Sequence, residues 1–241
     1  LILPHLEPVD LVVTSPPYDD LREYGGYDFN FGVTAGQLTN RLVNGGVIVW
    51  VVGDQSVNGS ESGTSFKQAL TFKSLGLNLH DTMIYLKEGF SYPSGNRYHQ
   101  VFEYMFVFSN GFPKTFNPLK DKKNNNSRRG GFTARQKDGT MKEIKGTLFL
   151  EEFGMRYNVW KYDVGGGKVG ESNIVHEHPA VFPLQLVSDH IHSWSNQGDM
   201  VLDPMCGSGT SLRMAKDTGR EYIGIEVSKE YINIANELLG E

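Results

Sequence analysis

The strongest constraint on how this chain folds lies near its end. Residues 201–210 read V-L-D-P-M-C-G-S-G-T: a short strand from 200–202, Asp203 and Pro204 at its carboxyl end, then a glycine-rich turn that opens a helix over 209–218. A second strand follows at 221–225, closed by Glu226, and a helix at 228–239. That is a complete βαβα unit, which requires a parallel sheet. Parallel sheets bind ligands at the carboxyl ends of their strands. Gly207 and Gly209 let backbone approach a ligand closely, and the helix that begins near Thr210 offers unpaired N–H groups. Glu226 stands 19 residues after Gly207, near the spacing at which an acidic side chain reaches a ribose hydroxyl. The lysine of a phosphate loop is missing, as is the third glycine of the dinucleotide fingerprint, so a nucleoside without phosphates fits best.

Upstream, residues 10–14 (DLVVT) and 46–52 (GVIVWVV) are apolar runs of buried-strand type. Between and after them, residues 35–42 and 65–75 carry helical spacing, the first stopped by Gly45-Gly46 and the second by Gly76. Strands at 80–86 and 102–109 have nothing helical between them and are expected to pair antiparallel at one edge of the sheet. From 110 to about 170 the periodicity fades into Asn and Gly clusters, an insert rather than core, and a helix at 183–195 restores order. The expected division is residues 1–109, an insert at 110–170, and residues 171–241.

With 241 residues and 39% hydrophobic content, the chain is long enough for one sizeable core, alone or with a small lobe. Its longest apolar run, 47–52, falls far short of the roughly 20 residues of a membrane span, and no charged-then-apolar leader opens it; a cytoplasmic protein is expected. The single cysteine, Cys206, excludes an internal disulfide and a zinc site built on several thiolates. His190 and His192 lie two apart in the expected helix and share no face, so with His176, His178 and Glu177 they make a poor ligand set, and no metal is expected. The net charge of −5 conceals an asymmetry: residues 110–145 hold ten basic side chains against three acidic ones. Lys120, Lys122, Lys123, Arg128, Arg129 and Arg135 lie there, in a segment that is either a solvated loop or a surface facing phosphates, with phosphate contacts favoured over base reading for the arginine pair.

Thr14-Ser15-Pro16-Pro17-Tyr18 closes the first strand, where a parallel sheet would set it beside the nucleoside pocket. Two prolines stiffen the backbone and remove two donors, leaving carbonyls with the side chains of Ser15 and Tyr18, an arrangement suited to a planar ligand bearing an amino group. At these residues the chain resembles the amino-methyltransferases of bacterial and phage DNA modification, whose catalytic motif is [D/N/S]-P-P-[Y/F]. The resemblance extends to the stretch from Asp203 to Thr210, similar to the family's D-P-F-x-G-S-G-T loop with Met205 in place of phenylalanine. It extends also to His178-Pro179-Ala180-Val181-Phe182-Pro183, similar to its H-P-x-x-F-P motif. The order of the motifs is that of the permuted β class.

That resemblance implies a Rossmann-like methyltransferase fold of the α/β class, mostly parallel with an antiparallel edge strand, and a target-recognition region in the basic insert. It implies S-adenosylmethionine as cofactor, held by Phe182, Pro183, Asp203, Pro204, Cys206, Gly207, Gly209, Thr210 and Glu226, and double-stranded DNA as substrate. Relatives commonly carry a strand with an acidic cofactor contact ahead of the catalytic one, and this sequence begins at Leu1 directly before it. Ser15 in place of Asp or Asn favours cytosine N4 over adenine N6. An amino nitrogen conjugated to a base is a weak nucleophile, so Ser15 Oγ and the Pro16 carbonyl are expected to accept its two hydrogens and aim its lone pair. Pro17 would line the slot, and Tyr18 would stack on a base flipped out of the duplex. Carbon-5 methylation needs a cysteine nucleophile, and Cys206 is better read as packing inside the turn. RNA or protein glutamine as substrate, and a non-catalytic binding module, are the alternatives; a homodimer and a cognate restriction endonuclease are compatible partners.

Overall fold

The computed structural model describes residues 3–17, 29–89, 95–125, 128–129, 131–144, 148–149, 151–163 and 182–240. They fall into two compact bodies, Leu1–Asn117 with Asn158–Glu241, and Pro118–Tyr157.

The first body is built on β1 (Val9–Thr14), β2 (Leu42–Val52), β3 (Asn78–Glu88), β4 (Phe102–Ser109), β5 (Val159–Asp163), β6 (Met200–Asp203) and β7 (Glu221–Gly224). They form one sheet in the order β5-β3-β4-β2-β1-β6-β7. Every pairing is parallel except the two made by β4. The helices are α1 (Phe31–Arg41), α2 (Thr64–Ser74), α3 (Leu184–Trp194), α4 (Thr210–Asp217) and α5 (Lys229–Leu239).

β2 is apolar without alternation because helices cover both faces of the sheet. On one face Trp50 meets Phe72 of α2 and Phe31 of α1 edge-on, with ring centroids 5.2 and 5.7 Å away. Its indole nitrogen donates to Gln68 Oε1 at 2.8 Å, so this fully buried side chain leaves no unmet donor. Ile48, Phe106 and Phe108 extend this face. On the other face α3 sets His190 against Trp160, centroids 4.6 Å apart, with its Nε2 3.3 Å from Met105 Sδ. His190 is fully buried and His192 exposed, two sides of one helix. Each fully buried Val or Leu of these two layers contributes about 1.5–3 kcal/mol.

Two expectations need correction. The antiparallel strand β4 is not at the edge, because β5, drawn from the segment expected to be insert, adds in parallel outside β3. With only Trp160 buried in the sequence VWKYD, β5 carries no usable periodicity. And Gly45-Gly46 stop no helix: α1 starts earlier, where the Asn30 side chain accepts from Val33 N at 3.1 Å, and β2 follows directly at Leu42.

The second body is narrower than the expected 110–170. Its ladders are nested: Phe132–Arg135 pairs with Met141–Ile144, Arg128–Arg129 with Leu148–Phe149, and Lys122–Lys123 with Phe153–Gly154, all antiparallel. A turn at the tip is closed by Gln136 N donating to Thr140 O at 2.7 Å. The result is a two-stranded arm. Among the described residues no helix is long and apolar enough to cross a membrane.

Candidate functional site

β1, β6 and β7 are neighbours and run in one direction, so the segments that leave their carboxyl ends share one edge of the sheet. Ser15, Pro16 and Pro17 leave β1; Pro204 to Gly209 leave β6; Glu226 follows β7. Pro16 is buried, with Ser15 and Pro17 half-buried. Asp54, one residue past Gly53 at the same end of β2, accepts from Ser62 Oγ and from Ser65 N and Oγ, capping the start of α2.

Asp203 ties the edge together. Its Oδ1 accepts from Thr14 Oγ1 at 2.7 Å and from Met205 N at 3.1 Å, while Oδ2 accepts from Ser211 Oγ at 2.5 Å. The carboxyl is fully buried, and loss of solvation pushes its pKa up to about 6 against these hydrogen bonds; the nearby Glu226 charge adds to the rise.

The glycine turn folds over this carboxylate. Gly207 and Gly209 take φ of 52° and 84°, left-handed values that favour glycine. A Cβ on Gly209 would also fall 2.8 Å from Ala235 Cβ of α5. Cys206 N donates to Ile225 O, and Gly209 N to Cys206 O. Gly224 is required too, since a Cβ there would meet Leu212 Cδ1 at 2.4 Å and Cys206 Sγ at 2.9 Å. Cys206 is thus packed between turn and strand, and burial raises its thiol far above the ordinary range, leaving no thiolate for attack. Buried Thr210 opens α4.

Glu226 Oε2 accepts from Gly207 N at 2.9 Å; Oε1 accepts from Val227 N and Ser228 N, both at 2.8 Å. Its carboxylate therefore anchors the turn and the start of α5, with one acceptor site left on Oε2. Among the described residues neither Asp203, Glu226 nor Asp54 is paired with a cation, so the edge is acidic and suits a cationic ligand.

Pro183 is buried as the N-cap of α3, with Phe182 half-buried before it. A short turn joins α3 to the start of β6, which puts the helix C-terminus at the amino edge and carries Phe182 and Pro183 back toward the carboxyl edge. Tyr18 and residues 176–181, with His176 and His178, lie outside the described residues. Lys120, Lys122, Lys123, Arg128, Arg129 and Arg135 all lie on the arm. Lys120 pairs with Glu151 at 3.2 Å, and Lys122 Nζ sits 4.7 Å over the Tyr157 ring. Among the described residues no cluster of His, Cys, Asp and Glu is arranged to hold a metal.

Three residues escaped the sequence reading as parts of this edge: Ser211 bonds Asp203, Asp54 caps α2, and Gly224 makes room for Cys206. Thr14 was placed here by sequence, but its bond to Asp203 was not foreseen. The hint for Asp54 was an acid just past an apolar run, the same pattern as Asp203.

A family model described as DNA methylase matches residues 9–237. The orphan methyltransferase M.BamHII of Bacillus amyloliquefaciens is 54% identical over 234 residues, 96% of this chain and 88% of its own length. The type II methyltransferase M.BglII of Bacillus subtilis is 26% identical over 252 residues, 96% of this chain and 63% of its own. Among solved structures, the fold is similar to that of the PvuII cytosine-N4-specific DNA methyltransferase, with a TM-score of 0.65 at 18% identity, covering 96% of this chain and 79% of that one. It is also similar to the M1.HpyAVI–SAM complex, at 0.64 and 21%, covering 98% and 90%.

Proposed function

The chain belongs to the N6/N4 DNA methylase family, and from that membership we propose that it transfers the methyl of S-adenosylmethionine directly to an exocyclic amino nitrogen of a flipped DNA base, cytosine N4 in preference to adenine N6. The observation that carries this reading is the adjacency, at the ends of parallel neighbours β1 and β6, of the rigid Ser15-Pro16-Pro17 segment and the glycine turn folded over Asp203.

The residues at this edge suit the cofactor. It is a nucleoside without phosphates that carries a positive sulfonium, and it meets an acidic edge whose carboxylates pair with no cation among the described residues, with glycines where its body must lie against backbone. Phe182, Pro183, Asp203 to Thr210 and the remaining acceptor of Glu226 would hold it. When bound, it supplies an electrophilic methyl.

The chain's own part is to prepare the nucleophile. Ser15 Oγ and the Pro16 carbonyl accept the two amino hydrogens, which localises the nitrogen lone pair and directs it at the methyl. The bound cofactor would supply the methyl and keep the C–S electron pair on its sulfur, and the amino nitrogen would give up one proton to water. Pro17 lines the slot for the base, and the family resemblance gives Tyr18 the role of stacking on it. Ser15 in place of a carboxylate or amide supports cytosine N4.

The arm supplies a second argument for duplex DNA. A two-stranded antiparallel ribbon is an element that the major groove admits, and the sequence of this one includes Lys120, Lys122, Lys123, Arg128, Arg129 and Arg135. The orphan designation of M.BamHII favours a modification enzyme that works without a dedicated nuclease.

The reading is tested by offering labelled cofactor with duplex DNA, RNA or protein at several salt concentrations. Label should enter duplex DNA, and replacing Lys123 and Arg135 by Gln should weaken DNA binding and reduce its salt slope by about one for each phosphate no longer neutralised. Label in RNA or protein instead would refute the substrate class, and an unchanged slope would refute the arm's role.

A further inference from the structure

The catalytic and cofactor segments leave different strands, and the backbone ladder between those strands stops early. β1 and β6 are in register at Leu11–Val201 and Val12–Leu202, two residues short of Thr14, while on its other side β1 stays paired with β2 as far as Thr14–Trp50. Past Val12 the catalytic strand is thus held firmly from the β2 side. Toward the cofactor half, a side-chain bond takes over: Thr14 Oγ1 to Asp203 Oδ1, 2.7 Å, between two buried residues.

The other donors to Asp203 come from its own half, Met205 N in the turn and Ser211 Oγ in α4. They fix the carboxylate's orientation independently of β1. The Thr14 hydroxyl is the donor from the catalytic side, one peptide before Ser15. Valine would fill the same volume without burying a hydroxyl, which is costly unless that hydroxyl is bonded. What threonine adds here is therefore the bond itself.

We propose that Thr14 is a positioning residue, whose hydroxyl, held by Asp203, sets the distance between the Ser15-Pro16 segment and the cofactor turn and thereby governs the rate of methyl transfer rather than cofactor affinity. This rests on the transfer reaction proposed above. An error of about 1 Å in the placement of reacting groups costs on the order of a hundredfold in rate.

The experiment compares wild type, Thr14→Val and Thr14→Ser by calorimetric titration of S-adenosylmethionine and by single-turnover methylation of duplex DNA with both substrates saturating. T14V should slow the single turnover about 10- to 100-fold, with the cofactor Kd within about threefold of wild type. T14S, which restores the hydroxyl, should recover most of the rate. An unchanged rate in T14V overturns the proposal. So does a parallel loss of rate and cofactor affinity that T14S fails to rescue, which is what a purely structural role would give. If T14V does not fold, Thr14→Ala is compared with T14S by the same criteria. A wild type that binds cofactor but labels no DNA would sink the reaction itself, whereas an active wild type with an indifferent T14V sinks only the role of Thr14.

Discussion

At the amino edge of the sheet Lys114 bridges Asp10 at 2.6 Å and Asp199 at 3.3 Å, whereas at the carboxyl edge Asp203 and Glu226 face no cation among the described residues. Asp10 also accepts from Met200 N at 2.7 Å, so the Lys114 cluster joins the starts of β1 and β6. Burial works against the charged Lys114 amine, but the Asp10 hydrogen bond and the Asp10 and Asp199 charges outweigh it and hold its pKa above the usual lysine value. Arg220 completes this edge, donating to Ser195 Oγ and O and to Thr218 O. The same side-chain chemistry thus serves opposite ends: acids at the amino edge are neutralised and hold the fold together, while acids at the carboxyl edge are left with hydroxyl and N–H donors. An acid held that way costs stability and is free to meet an incoming positive charge.

If the division is right, substitutions at the carboxyl edge should alter activity, cofactor binding or the pH dependence of stability, and those at the amino edge should cost stability without touching activity. The largest effect is expected from Ser15→Ala, which removes one acceptor for the amino hydrogens. Single-turnover methylation should fall about 10²–10³-fold with the melting temperature and cofactor Kd unchanged. A milder loss would move the burden to the backbone carbonyl.

Asp203→Asn is next. Because the folded carboxyl titrates near 6 and the unfolded one near 3.8, the unfolded chain loses its proton first as pH rises. The wild type should therefore lose stability relative to D203N between about pH 4 and pH 6, by roughly 3 kcal/mol, and the difference should be flat above that window. Denaturant titrations of both proteins across this range check it. A difference that grows in favour of the wild type would mean that the carboxylate is stabilised by a partner other than those described.

Gly209→Ala should cost about 1–3 kcal/mol, from the left-handed backbone and the crowding against Ala235, and should weaken cofactor binding as the turn shifts. Lys114→Met should be mildest, about 1 kcal/mol of stability for a partly exposed bridge, with methylation per folded molecule unaltered. A loss of activity there would break the contrast between the two edges.

The strands and helices that flank the cofactor turn were readable because a buried apolar run, a glycine turn and an N-cap each leave a local mark: Met200–Asp203, Lys229–Leu239 and Gly207 needed nothing from elsewhere in the chain. Val159–Asp163 was missed because its place is dictated by pairing with Ile84–Glu88, and its own residues are mostly exposed. The arm was visible as charge, not as shape, since its nested ladders depend on partners up to 32 positions apart, as between Lys122 and Gly154. In the site, residue types announced Ser15, Asp203 and Glu226. The bond from Thr14 to Asp203 spans 189 positions, and no local pattern marks a threonine for that partner. Glu226 was legible as an acid at the right strand end, yet the backbone groups it holds, Gly207 N above all, follow only from the fold.

The most direct test incubates the protein with methyl-labelled S-adenosylmethionine and mixed-sequence duplex DNA, digests the DNA to nucleosides and identifies the labelled species by mass. Labelled N4-methylcytosine is the predicted result. Labelled N6-methyladenine would preserve the direct transfer and contradict the assignment drawn from Ser15, and labelled 5-methylcytosine, or no label in DNA despite measurable cofactor binding, would contradict the account of the site as a whole.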